Sequence, residues 1–362
     1  MSARESILIR GVNWLGDAVM ATPALLRLRE AKPKARFTLL TPVKLAGLWA
    51  HHPALDDVMC IEPDEGVFAV ARRLRQRRFT AALVLPNSFR TALEVWLAKI
   101  PHRIGYEANL RGWLLTRPVA PRREAVPMRK RPLWEIRYLL GRPDVKPTVH
   151  PASAHHLHHY LHLAATLGAS AEPLAPSIAV NDAELLTARM KFGLPSDVRP
   201  ILGINPGAEY GPAKRWPLER FIAAALEIRR HTNCRWVLLG GRNDVDFAGE
   251  LMMSLGVDCV NLAGRTSLRE LSAVLKLCRV VLTNDTGPMH LAAAVGTRVV
   301  VPFGSTSPEL TGPGLPGDAR HQLLRAGTPC SPCFRRECPV DFRCMTGIRV
   351  ESVVEAVLRG TK

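Results

Sequence analysis

A chain of 362 residues is too long for one ordinary core and suits two domains of roughly 150–200 residues each. Hydrophobic residues at 47% and charged residues at 22% exclude a mainly disordered chain, and 29 prolines and 26 glycines without period exclude collagen-like repeats. Lysine and arginine number 49 against 32 acids, a net charge of +17, and residues 1–180 hold 26 of the bases against 14 acids. Such a field suits nucleic acid, an anionic membrane face, a phosphorylated substrate, or only a basic surface kept for solubility.

In chain order, Ile7–Val12 reads as a strand and Gly16–Glu30 as a helix. Phe37–Thr41, Val58–Ile61 and Ala82–Leu85 follow as strands, with helices over Val67–Arg77 and Phe89–Ala98. Short apolar strands separated by helices are the signature of parallel α/β units. Between Pro118 and Pro151 the pattern breaks at Pro121, Pro127, Pro132, Pro143 and Pro147, among Arg122, Arg123, Arg129, Lys130 and Arg131. A mobile basic loop able to meet anionic phosphates, or merely a solvated connector, is expected there. Helices at Trp134–Leu140 and His155–Leu167 and a linker at Glu172–Val180 follow.

The second half restarts with strands at Ile201–Asn205, Trp236–Leu239, Val280–Thr283 and Val299–Phe303. Helices are expected at Leu218–Arg230, Val245–Leu255, Leu268–Leu277 and Pro288–Val295. The division expected is 1–180, 181–345, and a terminal helix in 346–362 packing back across a cleft between the halves. Ligands of such sheets sit at the carboxyl ends of the strands. No run reaches the roughly 18–20 apolar residues that span a bilayer, and the opening MSARESILIRGVNW lacks a signal-peptide pattern. A cytosolic protein with at most peripheral membrane contact is expected.

Three strand-to-helix turns could do chemistry. In Asn13-Trp14-Leu15-Gly16-Asp17, Gly16 lets backbone approach a ligand, and Asp17 faces the cleft or simply caps the helix. There is no G-x-G-x-x-G dinucleotide fingerprint. In 205–217, Gly207, Ala208, Glu209 and Gly211 precede Lys214-Arg215, a loop able to hold phosphate, although surface lysines are common. In Asn284-Asp285-Thr286-Gly287-Pro288-Met289-His290, the proline opens a helix whose first amides form a ready anion site.

Asp244-x-Asp246 has the spacing of a metal-binding D-x-D, or supplies acids to a helix start. Cys330, Cys333, Cys338 and Cys344 could bind structural zinc or pack as thiols. His150, His155, His156, His158, His159 and His162 crowd one segment, with i, i+4 pairs that could chelate a metal or line a helix face.

Taken together, NWLGDAVMATPAL, NPGAEYGPAKRWP and NDTGPMHLAAAVGT, in this order, resemble the ADP-heptose–lipopolysaccharide heptosyltransferases of glycosyltransferase family 9. The pattern is nearest the type II subgroup, whose cysteine segment CSPCFRRECP also resembles. The resemblance spans about Ile7 to Arg359. It implies the GT-B architecture: two Rossmann-like doubly wound domains facing a cleft, acceptor on the first and nucleotide sugar on the second. It implies Asp17 as catalytic base, Lys214 beside the donor phosphates, and Asp285, Thr286, Gly287 and His290 as the nucleotide-binding turn. Gly16, Gly207 and Ala208 join the substrate-binding set, the last two in a loop differing in length from that of type I.

The implied reaction is inverting transfer of heptose from ADP-heptose to the first heptose of a heptosyl-Kdo-lipid A acceptor. No cofactor is required, magnesium stays open, and nucleic acid is not an expected partner. A related transferase with another donor or acceptor is the alternative. A non-catalytic protein binding anionic lipid or nucleic acid is more remote, since no RRM, KH or helix-turn-helix pattern is present.

Overall fold

The computed structural model describes residues 5–142, 144–194 and 197–361, so Pro143 of the proline-rich stretch lies outside the described residues. The chain divides into two compact units. One runs to Ala125 and resumes over His156–Ala179; the other comprises Val126–His155 and everything from Val180.

The first unit contains β1 (Ser6–Arg10), α1 (Leu15–Ala31), β2 (Arg36–Pro42), β3 (Asp57–Ile61), α2 (Val67–Gln76) and β4 (Ala81–Val84). Then come α3 (Phe89–Leu97), β5 (His102–Tyr106) and β6 (Arg117–Val119). The chain forms α4 (Leu133–Leu140) in the second unit before returning with α5 (Leu157–Ala165). All six strands are parallel, in the order β3-β2-β1-β4-β5-β6. Central strands are apolar on both faces because helices cover both, and every residue of β4 is buried. Helix α1 is buried from Ala18 through Leu25, since α5 packs on it, which explains its run of apolar residues without a polar stripe.

The second unit runs α6 (Asp182–Phe192), β7 (Ile201–Asn205), α7 (Leu218–Thr232), β8 (Arg235–Leu238), α8 (Val245–Leu255) and β9 (Cys259–Asn261). It continues with α9 (Leu268–Leu277), β10 (Val280–Thr283), α10 (Gly287–Ala294), β11 (Arg298–Phe303) and α11 (Pro308–Thr311). It ends with β12 (Gln322–Arg325), α12 (Arg343–Thr346) and α13 (Val350–Thr361). Its order β9-β8-β7-β10-β11-β12 repeats the winding of the first sheet. Both follow the 3-2-1-4-5-6 order of Rossmann domains, with the direction of winding reversing between β1 and β4, and between β7 and β10.

Two expectations change. Residues 126–155, placed with the first half by sequence, belong to the second unit, where Arg131 N donates to the Cys333 carbonyl at 3.0 Å and Thr148 N to that of Ser331 at 3.3 Å. The terminal helix, expected to cross a cleft, lays Val353, Val354, Ala356 and Val357 into the second unit's core beside Trp216 and Phe221. Its helical neighbour there is α7. Its apolar face matches that core, and burial at about 25 cal/mol per Å² favours docking there.

Candidate active site

Each unit carries functional groups at the carboxyl ends of its central strands. In the first, Arg10 closes β1 and is buried, its Nε donating to Glu94 Oε2 at 2.7 Å from α3. Arg10 Nη1 also donates to the Gly11 carbonyl at 2.5 Å, so a buried ion pair tethers the turn entering α1. Trp14, not Asp17, takes the N-cap position. Asp17 lies in the first helical turn, beyond Gly16, and its Oδ1 accepts the Tyr160 hydroxyl of α5 at 3.0 Å. Burial, then the Asp17 carboxylate, raises the Tyr160 pKa well above its ordinary value of 10.0. The phenol therefore stays a donor at neutral pH.

The histidine run divides at this helix. His155 precedes it and its Nε2 lies 3.1 Å from the Gly312 carbonyl, while His159 packs edge-on against His156 and Tyr106. His162 stacks on Tyr106. Burial lowers His156 to about 4 and His159 to about 4, the latter helped by neighbouring His156 and Arg122. His156 and His159 are thus neutral rings at neutral pH, His159 packed on Tyr106 and His156 on His159.

In the second unit, β7 and β10 are neighbours, which brings their two following loops together. Asn205 Nδ2 donates to Thr283 Oγ1 at 3.1 Å across the strand ends. Asn284 then clasps both ends of the 206–216 loop. Its Nδ2 donates to the Pro206 carbonyl at 2.7 Å, and its Oδ1 accepts Trp216 N at 2.9 Å. Gly207 is required by close approach: a Cβ there would stand 2.2 Å from the Asp244 carboxylate. Ala208 is buried beside it, and Glu209 is exposed.

Lys214 and Asp285, both expected to face the nucleotide, are paired with each other at 2.7 Å. Asp285 Oδ2 also accepts Thr306 Oγ1 at 2.5 Å. The ammonium is thus held at the start of α10 by a buried carboxylate, with further N–H donors of its own for an anion. Thr286 is the N-cap of α10 but makes no side-chain cap, and Gly287 opens the helix with Pro288 behind it. His290 is buried one turn in. Sequence reasoning passed over Asn284, although it lies within the motif, and over Thr306, which follows β11 without any pattern of its own.

The cysteine segment supports this loop pair. Cys333 N and Phe334 N both donate to the Ser305 carbonyl, and Tyr210 Oη donates to the Phe334 carbonyl at 2.8 Å. Cys330 and Cys333 pack with Ile136, and burial pushes the Cys330 thiol up to about 11 and that of Cys344 to about 12. The four cysteines are free thiols. Asp244 accepts Gly241 N at 2.9 Å and is the N-cap of α8, with Asp246 in its first turn: helix-start chemistry. Among the described residues no three His, Cys, Asp or Glu side chains group as metal ligands.

Two Rossmann-like domains of this kind compose the GT-B class of glycosyltransferases. The chain belongs to glycosyltransferase family 9 (heptosyltransferase), whose model matches residues 67–141 and 133–342. Lipopolysaccharide heptosyltransferase 2 of Escherichia coli K12 is 30% identical over 318 residues, 85% of each chain. Lipooligosaccharide heptosyltransferase 2 of Haemophilus influenzae is 30% identical over 322 residues, 85% of this chain and 86% of that one. The solved structure of E. coli ADP-heptose lps heptosyltransferase II superposes with a TM-score of 0.78 at 26% identity, covering 99% of this chain and 98% of that one.

Proposed function

We propose that this protein transfers heptose from ADP-heptose to the first heptose of the lipopolysaccharide inner core, with inversion at the anomeric carbon. The observation that carries the reading is the likeness, along nearly the whole chain, to an ADP-heptose lps heptosyltransferase II. Asp17 accepts the proton of the acceptor hydroxyl as its oxygen bonds to the anomeric carbon and the bond to the diphosphate breaks. Lys214 and the amides of Thr286 and Gly287 take up the charge that develops on the departing ADP. Asp285 holds Lys214 in place, Gly16, Gly207 and Ala208 let backbone approach the substrates, and His290 backs the nucleotide turn. No step is assigned to a metal.

The acceptor is a heptosyl-Kdo-lipid A, whose phosphates and carboxylates suit the basic first half. The enzyme works in the cytoplasm, in peripheral contact with the inner membrane and without nucleic acid. No helix among the described residues is long and apolar enough to cross a membrane. The test is a product assay with ADP-heptose and an acceptor ending in the first heptose, with ADP and UDP as competitors. Addition of one heptose and preferential inhibition by ADP are expected. Absence of product, or stronger competition by UDP, overturns the donor assignment.

A further inference from the structure

Three large aromatic side chains of the first unit lie together in solvent. Phe89 and Trp96 on α3 are 41% and 40% exposed, and Trp113 in the turn before β6 is 65% exposed. Trp113 stands 6.1 Å from Phe89 and 5.9 Å from Trp96 between ring centroids. A flexible loop could fold such residues away, but this turn is pinned. Arg111, fully buried, donates through Nε to the Tyr106 carbonyl at 2.9 Å and through Nη2 to Asn87 Oδ1 at 3.1 Å. The buried arginine therefore fixes the Trp113 turn against the entry to α3, so the aromatic face is a built feature.

The same helix ends at a groove of about 500 Å³ formed with the end of α2. Buried Leu74, Phe79 and Ile100 lie among its lining. Arg75, Arg78, Lys99 and His102 line it too, and no acid does. Among the described residues, Arg75, Arg78 and Lys99 form no ion pair. By contrast, Arg129 pairs with Glu135 at 2.8 Å and Arg122 with Glu124 at 3.4 Å in the proline-rich stretch expected to meet phosphates.

We propose that the Phe89–Trp96–Trp113 face and the adjoining cationic groove dock the protein on an anionic phospholipid bilayer. Tryptophan and phenylalanine settle at the boundary of headgroup and acyl chain, where an apolar ring meets water. Arginine and lysine beside them, with no carboxylate partner among the described residues although Arg75 also donates to the Leu97 carbonyl at 2.6 Å, meet the negative surface potential. This deepens the peripheral-membrane part of the proposed function by naming the surface that makes the contact.

Co-sedimentation with vesicles of phosphatidylcholine mixed with phosphatidylglycerol, against phosphatidylcholine alone, tests it. The full chain should partition to the anionic vesicles. Trp96→Gln with Trp113→Gln should lower that partition at least about ten-fold. Arg75→Gln, Arg78→Gln and Lys99→Gln together should lower it roughly five-fold per charge and remove its salt dependence. Circular dichroism and ADP affinity report whether each variant is folded. Turnover on a deacylated, soluble acceptor should be unchanged, and its failure in the parent protein would count against the transferase reading, not the surface. Equal vesicle binding by folded variants and parent overturns the proposal, as does sedimentation showing that the parent self-associates and the tryptophan variant does not while vesicle binding stays intact.

Discussion

The Tyr160 hydroxyl donates to Asp17 Oδ1 at 3.0 Å, joining helices 143 residues apart in sequence. One carboxylate oxygen is thereby oriented while the other is left to different partners. Because the phenol stays protonated, the donor persists over the pH range of an assay. Tyr160→Phe removes it without changing shape. Turnover should fall by roughly ten-fold, with the acidic limb of the pH–rate profile displaced to higher pH, because a carboxylate that loses a donor is protonated more readily. An unchanged profile with lower turnover would reduce Tyr160 to a packing residue.

Asp17→Asn keeps the size of the side chain and abolishes its basicity. Turnover should fall by about 10²–10⁴ with ADP affinity preserved, as loss of a general base predicts. Rapid-quench measurement of product, with circular dichroism as control, checks this. Near-parental turnover would remove Asp17 from the reaction.

The Lys214–Asp285 pair leads to a different signature. Lys214→Ala should weaken ADP binding by roughly 10–100-fold and lower kcat as well, since diphosphate charge is present in the bound donor and grows on departure. Titration calorimetry with ADP, followed by steady-state kinetics, separates the two effects. Normal values in both would make the lysine a structural partner of Asp285 alone.

Glu94 is fully buried and neutralises Arg10 beneath the turn that leads to Asp17. Glu94→Gln leaves the guanidinium charge buried without its counter-ion, at a cost of about 3–5 kcal/mol. Chemical denaturation should show that loss as a lower midpoint with an unchanged slope. A shift below about 1 kcal/mol would mean that water reaches Arg10 and screens it.

What could be read in the sequence was what local chemistry writes there. Ile201–Asn205 and Val280–Thr283 coincide with β7 and β10, because strands buried on both faces become uninterrupted apolar runs. The edge strand β3 is legible as Val58–Ile61, whereas β5, inside the first sheet, and the edge strands β6, β9 and β12 are not. β6, β9 and β12 have only three or four residues, are partly exposed, and break their apolar run with Arg117, Asn261, and Gln322 and Arg325. Helix α6 lies between the expected linker at Glu172–Val180 and the strand at Ile201, where no element is expected from the sequence, yet the Asn181–Glu184 capping box starts it and Arg269–Glu184 joins it to α9. The three motif turns were visible because glycine, proline and acids punctuate strand-to-helix junctions. Tyr160 was hidden inside a histidine run, and no periodicity signals a contact made across two helices.

The buried histidines predict how stability responds to acid. Burial lowers His52 and His156 from 6.5 to about 4, and His159 to about 4 with help from neighbouring cations. Above pH 6.5 both folded and unfolded chains hold these rings neutral, so their contribution to stability is fully present. Between 6.5 and 4 the unfolded chain takes up protons that the folded chain refuses, and stability is lost as pH falls. The slope should approach about 1.4 kcal/mol per pH unit for each of His52 and His156, and less for His159, which water reaches and screens. Denaturant midpoints measured from neutral pH down to the lower limit give this slope directly. His156→Phe should flatten it by about one proton, because phenylalanine fills the site and cannot charge. A slope identical to that of the parent would mean that His156 protonates within the folded protein.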